Sequence, residues 1–215
     1  MDDALKEAIG EALGASVGAA RPVAGGDIND AWAVTLGDGR RVFVKTNRRA
    51  PPTLFAREAE GLAWLAEAEA LRTPRVLAWS ARFLVLEHVP PGAPAADHDE
   101  RLGRGLAALH RFGASGFGAV ADNFIGSLPQ DNGTEADWPT FYVRRRLEPQ
   151  LARAVDAGRA SPAMRRGFER LFARMPERVG PAEPPARLHG DLWGGNLHTA
   201  ESGEPVLIDP AVYGG

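Results

Sequence analysis

The chain has 215 residues, 44% of them hydrophobic and 25% charged, which is enough for one large domain or two coupled lobes and excludes disorder, collagen and a coiled coil. Its 25 Lys and Arg against 28 Asp and Glu leave a formal charge of −3, with no basic block to track a phosphate backbone, so no nucleic acid partner is expected. The lack of cysteine removes disulfides, thiolate metal sites and cysteine nucleophiles; no stretch suits a membrane helix and the acidic opening Met1-Asp2-Asp3 is unlike a secretory signal, so a cytoplasmic protein without a membrane partner is expected.

Residues 2–14 carry the apolar spacing of a short amphipathic helix. Strands are expected at 19–25, 31–36 and 41–46, the last two joined by a Gly37-Asp38-Gly39 turn. Pro51-Pro52 opens a helical segment running to about residue 68, followed by strands at 75–79 and 82–87. The run Val89-Pro90-Pro91-Gly92-Ala93-Pro94 can neither continue a central strand nor start a helix freely, and it reads as a connector between lobes.

Beyond the connector helix dominates. Leu102, Leu106, Leu109 and Phe112 form one stripe, a longer helix is expected from Trp138 to about Ala157, and Ser161-Pro162 is an N-cap followed by proline at the first helical position. The Gly, Asn and Asp rich stretch between 113 and 135 is too long for a structureless loop and is expected to be functional or well packed. The chain closes with an extended pair, from Leu188 onward and from Pro205 to Ile208.

Chemistry concentrates in that last segment. His189-Gly190-Asp191-Leu192-Trp193-Gly194-Gly195-Asn196 sets a carboxylate and a carboxamide on one glycine-rich loop, and Asp209 follows at the end of a Val-Leu-Ile strand. Phosphoryl transfer needs such a set: an Asp to orient and deprotonate an attacking hydroxyl, and an Asn with a second Asp to hold Mg²⁺ on nucleotide phosphates. Asp191 is therefore the candidate base, and Asn196 and Asp209 are the candidate metal ligands.

Of the 25 basic residues only Lys6 and Lys45 are lysines, so a lysine at the end of Val42-Phe43-Val44-Lys45 requires a specific reason. On the helix near 52–68 a projection at 100° per residue puts Phe55, Ala59, Leu62, Leu65 and Ala66 on one face, with Glu58 among them and Glu60 and Glu67 turned away. A carboxylate on an apolar stripe needs a cation, and Lys45 is the expected partner in a phosphate-binding pair. Gly25 and Gly26 lie where a loop would cover a nucleotide, and Glu87, His88 and Val89 lie where backbone groups would meet adenine. His110 is expected in the core or at a cap, His189 is expected to position the loop, and Arg144-Arg145-Arg146 reads as a solvated helix face, with contact to a phosphate or an acidic substrate as the alternative.

The loop from His189 to Asn196 with Asp209-Pro210-Ala211 closely resembles the fructosamine kinase (ketosamine 3-kinase) family of the aminoglycoside and choline kinase-like group. Asp122-Asn-Phe-Ile-Gly-Ser-Leu-Pro-Gln130, Trp138, Phe141, Tyr142, Arg146-Leu147, Gln150-Leu151, Phe55-Ala-Arg-Glu58 and Glu87-His88 are similar to that family as well. The resemblance implies an α+β, bilobal protein-kinase-like fold with a small antiparallel sheet. The expected boundaries are a nucleotide-binding lobe at 1–88 and a mostly helical lobe with the catalytic loop at 89–215. It further implies ATP-dependent phosphorylation of a ketosamine at a sugar hydroxyl, O3, with ATP and Mg²⁺ as cofactors; the alternatives are a kinase of another small alcohol, such as an aminoglycoside or choline, and a non-catalytic ATP-binding module. The substrate would be a small ketosamine or a glycated amino acid or protein, and the enzyme a monomer. By resemblance Asp191 is the base, Trp193 a stacking surface for the sugar, Asn196 and Asp209 the metal ligands, and Lys45 with Glu58 the phosphate pair. Family members continue past the Asp209 segment with further helices, so the helical lobe of this chain is expected to be incomplete.

Overall fold

The computed structural model describes residues 1–23 and 28–215. The expected glycine loop at Gly25 and Gly26 lies outside the described residues. Helix α1, Asp3–Leu13, starts where the Asp2 carboxylate accepts the Leu5 N–H at 2.9 Å and stops at Gly14, whose φ of 65° suits a residue without Cβ. Strands β1 (Val17–Val23), β2 (Asp30–Leu36), β3 (Arg41–Thr46), β4 (Val76–Trp79) and β5 (Phe83–Glu87) form an antiparallel sheet in the order β1-β2-β3-β5-β4. Helix α2, Leu54–Ala66, connects β3 to β4.

Period-two alternation settles which side chain meets which helix. Val42, Val44, Phe83 and Val85 share a core with Leu5 and Ile9 of α1. Leu84 and Leu86 pack with Leu54, Phe55, Ala59 and Leu62 of α2, and Phe43 packs against them. Helices thus cover both faces, which is why β5 reads Phe-Leu-Val-Leu without a polar break. Phe43 and Lys45 are two apart on β3, so Lys45 emerges on the α2 side.

Past Glu87 the chain forms α3 (His98–Phe112), the hairpin β6 (Asn123–Ile125) and β7 (Leu128–Gln130), then α4 (Trp138–Phe141). A π-helical segment, Tyr142–Leu147, continues α4 into α5 (Glu148–Asp156). Next come α6 (Pro162–Ala173) and α7 (Met175–Arg178), with the Ser161 hydroxyl accepting the Met164 N–H at 3.1 Å as the N-cap requires. The remaining strands are short: β8 (Arg187–Leu188), β9 (Leu197–Thr199), β10 (Pro205–Leu207) and β11 (Tyr213–Gly214). Among the described residues no helix is long and apolar enough to cross a membrane.

Three expectations change. The segments at Leu188 and Pro205 do not pair with each other: β10 pairs with β9 and β8 with β11, because Gly190 and the turn at Gly194–Asn196 redirect the chain between them. Ala66 is exposed, and Leu54 takes its place on the buried face of α2. Of the two places expected for His110 the core is excluded: it is exposed in the last turn of α3, whereas its neighbour Leu109 is buried against Leu65, Leu207 and Val212. That last cluster joins the end of α2 to the helical part, so α2 contributes to the cores on both sides.

Candidate active site

Lys45 and Glu58 meet as their faces require. The Lys45 ammonium donates to Glu58 Oε1 at 2.5 Å, and both side chains are nearly buried. The same ammonium donates to Asp209 Oδ1, so one cation joins β3, α2 and the strand-end carboxylate. Asp209 has φ +57°, a left-handed conformation that Asp tolerates better than bulkier residues and that persists only when its flanks are held.

Those flanks are held tightly. The Ile208 N–H donates to the Asn196 carbonyl at 3.1 Å, and the Ala211 N–H donates to the His189 carbonyl at 2.9 Å. His189 is buried; its Nε2 donates to the Ile208 carbonyl at 2.9 Å and its Nδ1 accepts the Asp191 N–H at 3.3 Å. That pattern needs the neutral ring with the proton on Nε2. Burial lowers the His189 pKa below its ordinary value, against the opposing pull of the Ile208 carbonyl and Asp191. The expected positioning role of His189 thus has a geometry: it ties the backbone of Asp191 to the residue preceding Asp209. Gly190, at φ +83°, lies so close to the Ala211 carbonyl that a Cβ would stand 1.9 Å from its oxygen.

Asn196 is buried, and its Nδ2 donates to the Asp191 carbonyl at 2.7 Å and to Asp191 Oδ2 at 3.1 Å. Its Oδ1 faces no donor among the described residues. An Asn carbonyl oxygen beside an Asp carboxylate is a hard oxygen set, suited to a cation such as Mg²⁺ that takes few protein ligands and completes its shell from phosphates and water. The donor chemistry therefore fits the implied metal. Trp193 is exposed and folds over Gly195, where a Cβ would lie 2.3 Å from ring carbons, so the indole rests on its own loop with one face outward.

The connector residues lie apart from this cluster. Leu84 pairs with Lys45 and Glu87 pairs with Val42, about 10 Å further along the sheet at the usual rise per residue. The Glu87 carboxylate is held by Arg72 at 2.8 Å and Arg75 at 3.3 Å, while Arg72 also reaches Glu204 at 2.6 Å. Burial opposes ionisation of Glu87, but the Arg75 N–H and the two guanidinium groups hold its pKa below the ordinary carboxylate value. The His88 ring contacts Arg41 at 3.3 Å, and the Val89 carbonyl contacts His198 Nε2 at 3.1 Å. The Val89 N–H has no backbone acceptor among the described residues.

The arginine run is not a solvated face. Arg145 pairs with Asp131 at 2.5 Å and Glu135 at 2.8 Å. Arg146 donates to the Asp131 carbonyl at 2.7 Å and stacks over Tyr213 at 4.0 Å and Phe141 at 4.6 Å. Only Arg144 is exposed.

Two supporting residues carried no signal in their own positions. Gly61, three residues after Glu58 on the same face of α2, seats against Pro210 and Val212, where a Cβ would lie 3.4 Å from each. Arg187, two residues before His189, is buried between the rings of Trp64 at 4.2 Å and Phe112 at 4.5 Å. It donates to the Trp64 carbonyl near the C-terminus of α2, to Glu67 at 3.0 Å and to the Gly113 carbonyl at 3.3 Å.

A five-stranded sheet with α2 against it, a Lys and Glu pair, and a following Asp, Asn and Asp set define the chain as one of the protein-kinase-like class. A solved macrolide 2'-phosphotransferase from Brachybacterium faecium shares this fold at TM-score 0.62 and 20% identity, over 99% of this chain and 74% of its own. Within the class the chain belongs to the fructosamine kinase family, whose sequence profile matches residues 1–215. A crystal structure from Thermobifida fusca YX-ER1, of a candidate fructosamine-3-kinase, superposes with TM-score 0.91 at 38% identity over 100% of this chain and 75% of that one. The rice (Oryza sativa subsp. japonica) chloroplastic protein-ribulosamine 3-kinase is 38% identical over 201 residues, 90% of this chain. The chain spans 58% of the rice protein's length.

Proposed function

We propose that the chain carries the nucleotide-binding and catalytic parts of an ATP-dependent kinase that phosphorylates the O3 hydroxyl of a ketosamine, the chemistry that starts removal of sugars from glycated amines. The observation that supports this reading best is the meeting of Lys45, Glu58 and Asp209 beside the Asp191 and Asn196 pair. Residues 1–88 serve as the nucleotide lobe and residues 89–215 as the mostly helical lobe.

The reading assigns each group a task. Lys45, oriented by Glu58, contacts the α and β phosphates, and its present bond to Asp209 is the contact those phosphates exchange for. The Glu87 to Val89 connector meets adenine through the Val89 N–H, at the end of β3 opposite Lys45. Asn196 Oδ1 and the Asp209 carboxylate hold Mg²⁺, which when bound neutralises charge on the transferring phosphoryl group. Asp191 orients the acceptor hydroxyl and accepts its proton. The bond from Asn196 Nδ2 to Asp191 Oδ2 leaves Oδ1 to face the acceptor. Trp193 offers its outward face to the sugar, and the carrier amine, free or on a protein, extends into solvent.

The direct test is to incubate the chain with Mg·ATP and ribulosyl-lysine and to locate any phosphate by ³¹P–¹H correlation NMR. Coupling to the proton on C3 supports the reading, and phosphate at another hydroxyl or no transfer contradicts it.

A further inference from the structure

Asn123 and Gln130 are buried polar residues at the base of the β6 and β7 hairpin, where they pair across the two strands. Gln130 Nε2 donates to Asn123 Oδ1 at 2.9 Å and to the Ala211 carbonyl at 3.1 Å, and Asn123 Nδ2 donates to the Val212 carbonyl at 2.9 Å. Two successive carbonyls just after Asp209 are therefore held by one carboxamide pair. On the other side the same segment is held by His189 and Asn196. The hairpin is fixed elsewhere too: Phe124 packs on the cluster of Phe55, Leu62 and Leu84, and at the tip a Cβ on Gly126 would lie 3.1 Å from Ile28 Cδ1.

The choice of carboxamides has a physical consequence. A lysine or arginine here would satisfy the same carbonyls but would set a positive charge near Asp209 and oppose a cation there. A carboxylate could not donate to a carbonyl and would compete for the cation. A neutral donor pair holds the backbone and leaves the field of Asp209 unchanged.

We propose that Asn123 and Gln130 are positioning residues for Asp209: by fixing the carbonyls of Ala211 and Val212 they hold its left-handed backbone and set its carboxylate for a divalent cation. The proposal rests on the kinase reading above. It predicts a defect confined to metal-dependent binding.

The test is calorimetric titration of the folded chain with ATP, once with Mg²⁺ and once with EDTA, for wild type, Asn123→Leu and Gln130→Met. The variants should bind Mg·ATP about tenfold or more weakly, as loss of one or two buried hydrogen bonds implies, and metal-free ATP within about twofold of wild type. Gln130→Asn keeps a neutral carboxamide but is one methylene too short to reach the Ala211 carbonyl; it should show the same pattern and serves if the apolar variants fail to fold. Equal weakening with and without Mg²⁺, or none in either, overturns the positioning role. Failure of the wild type to bind Mg·ATP overturns the kinase reading itself, a separate and recognisable result.

Discussion

The ammonium of Lys45 on β3 rests on the carboxylate of Asp209, 164 residues later in the chain. Because Glu58 at 2.5 Å holds the same ammonium, the three residues lock the sheet, α2 and the segment after β10 into one arrangement. A lysine suits this place because its charge is a compact point, while an arginine fork needs more room and directs its donors in a plane.

Lys45→Arg should therefore weaken Mg·ATP binding by at least about tenfold, or 1.4 kcal/mol, although the charge is kept. Lys45→Met should cost more in stability as well, about 3 kcal/mol, because it leaves nearly buried Glu58 without its cation. Titration calorimetry and chemical denaturation of both variants check the two effects separately. An arginine variant of wild-type affinity would mean that any cation suffices.

The seat of α2 at Gly61 leaves space for a Cβ at 3.4 Å from Pro210 and Val212, but not for branching. Gly61→Ala should stay within about 1 kcal/mol of wild type, the gain in helix propensity offsetting a tight contact. Gly61→Val should lift α2 from the Asp209 segment, with a loss of about 1–3 kcal/mol from overpacking and weaker nucleotide binding. Denaturation midpoints read the first effect and nucleotide titration the second.

Arg187 ties α2 to the strand that leads into the loop of Asp191 and Asn196. Arg187→Met keeps much of the stacking stem but removes the donors, leaving the Trp64 and Gly113 carbonyls unsatisfied, and should cost about 2–3 kcal/mol. Faster hydrogen exchange in the last turn of α2 should accompany the loss.

His189 has a folded-state pKa below its ordinary 6.5, so between those two values the unfolded chain binds more protons than the folded one. Stability is therefore intact above about pH 6.5 and falls as pH drops from there toward the folded value. His88, also lowered by burial and by Arg41, adds to the same slope. Thermal unfolding between pH 7.5 and about 5 should show the decline, and His189→Gln, which cannot titrate, should flatten it in part.

Much of this was legible in the sequence, for identifiable reasons. Lys45 stood out as one of only two lysines and as the end of the apolar run Val42-Phe43-Val44, a setting unlike a solvated face. Glu58 stood out as a carboxylate on an apolar stripe, which only a cation could satisfy. The order of Asp191, Asn196 and Asp209 marked one site because phosphoryl transfer needs a base and two oxygen ligands for a metal in that arrangement.

What escaped depends on contacts distant in sequence. The β6 and β7 strands are three residues each, too short for periodicity to register, and their carboxamides have partners more than 80 residues away. Arg187 looks like any surface arginine until Trp64 and Phe112 are brought to its two faces. The arginine run read as solvated because its aromatic partner Tyr213 and acidic partner Asp131 come from other segments. β8 and β11 are two-residue strands, whose pairing is set by the turn geometry around Gly190 rather than by local propensity.

On the proposed function Asp191 activates a ketosamine hydroxyl toward Mg·ATP. The measurement that tests it most directly is ADP release by the chain and by Asp191→Asn, with ribulosyl-lysine, fructosyl-lysine, an aminoglycoside and choline as acceptors. Release is expected with a ketosamine alone, abolished in Asp191→Asn while nucleotide binding survives. Near-normal release by Asp191→Asn, or release with choline or the aminoglycoside and not with a ketosamine, would contradict it.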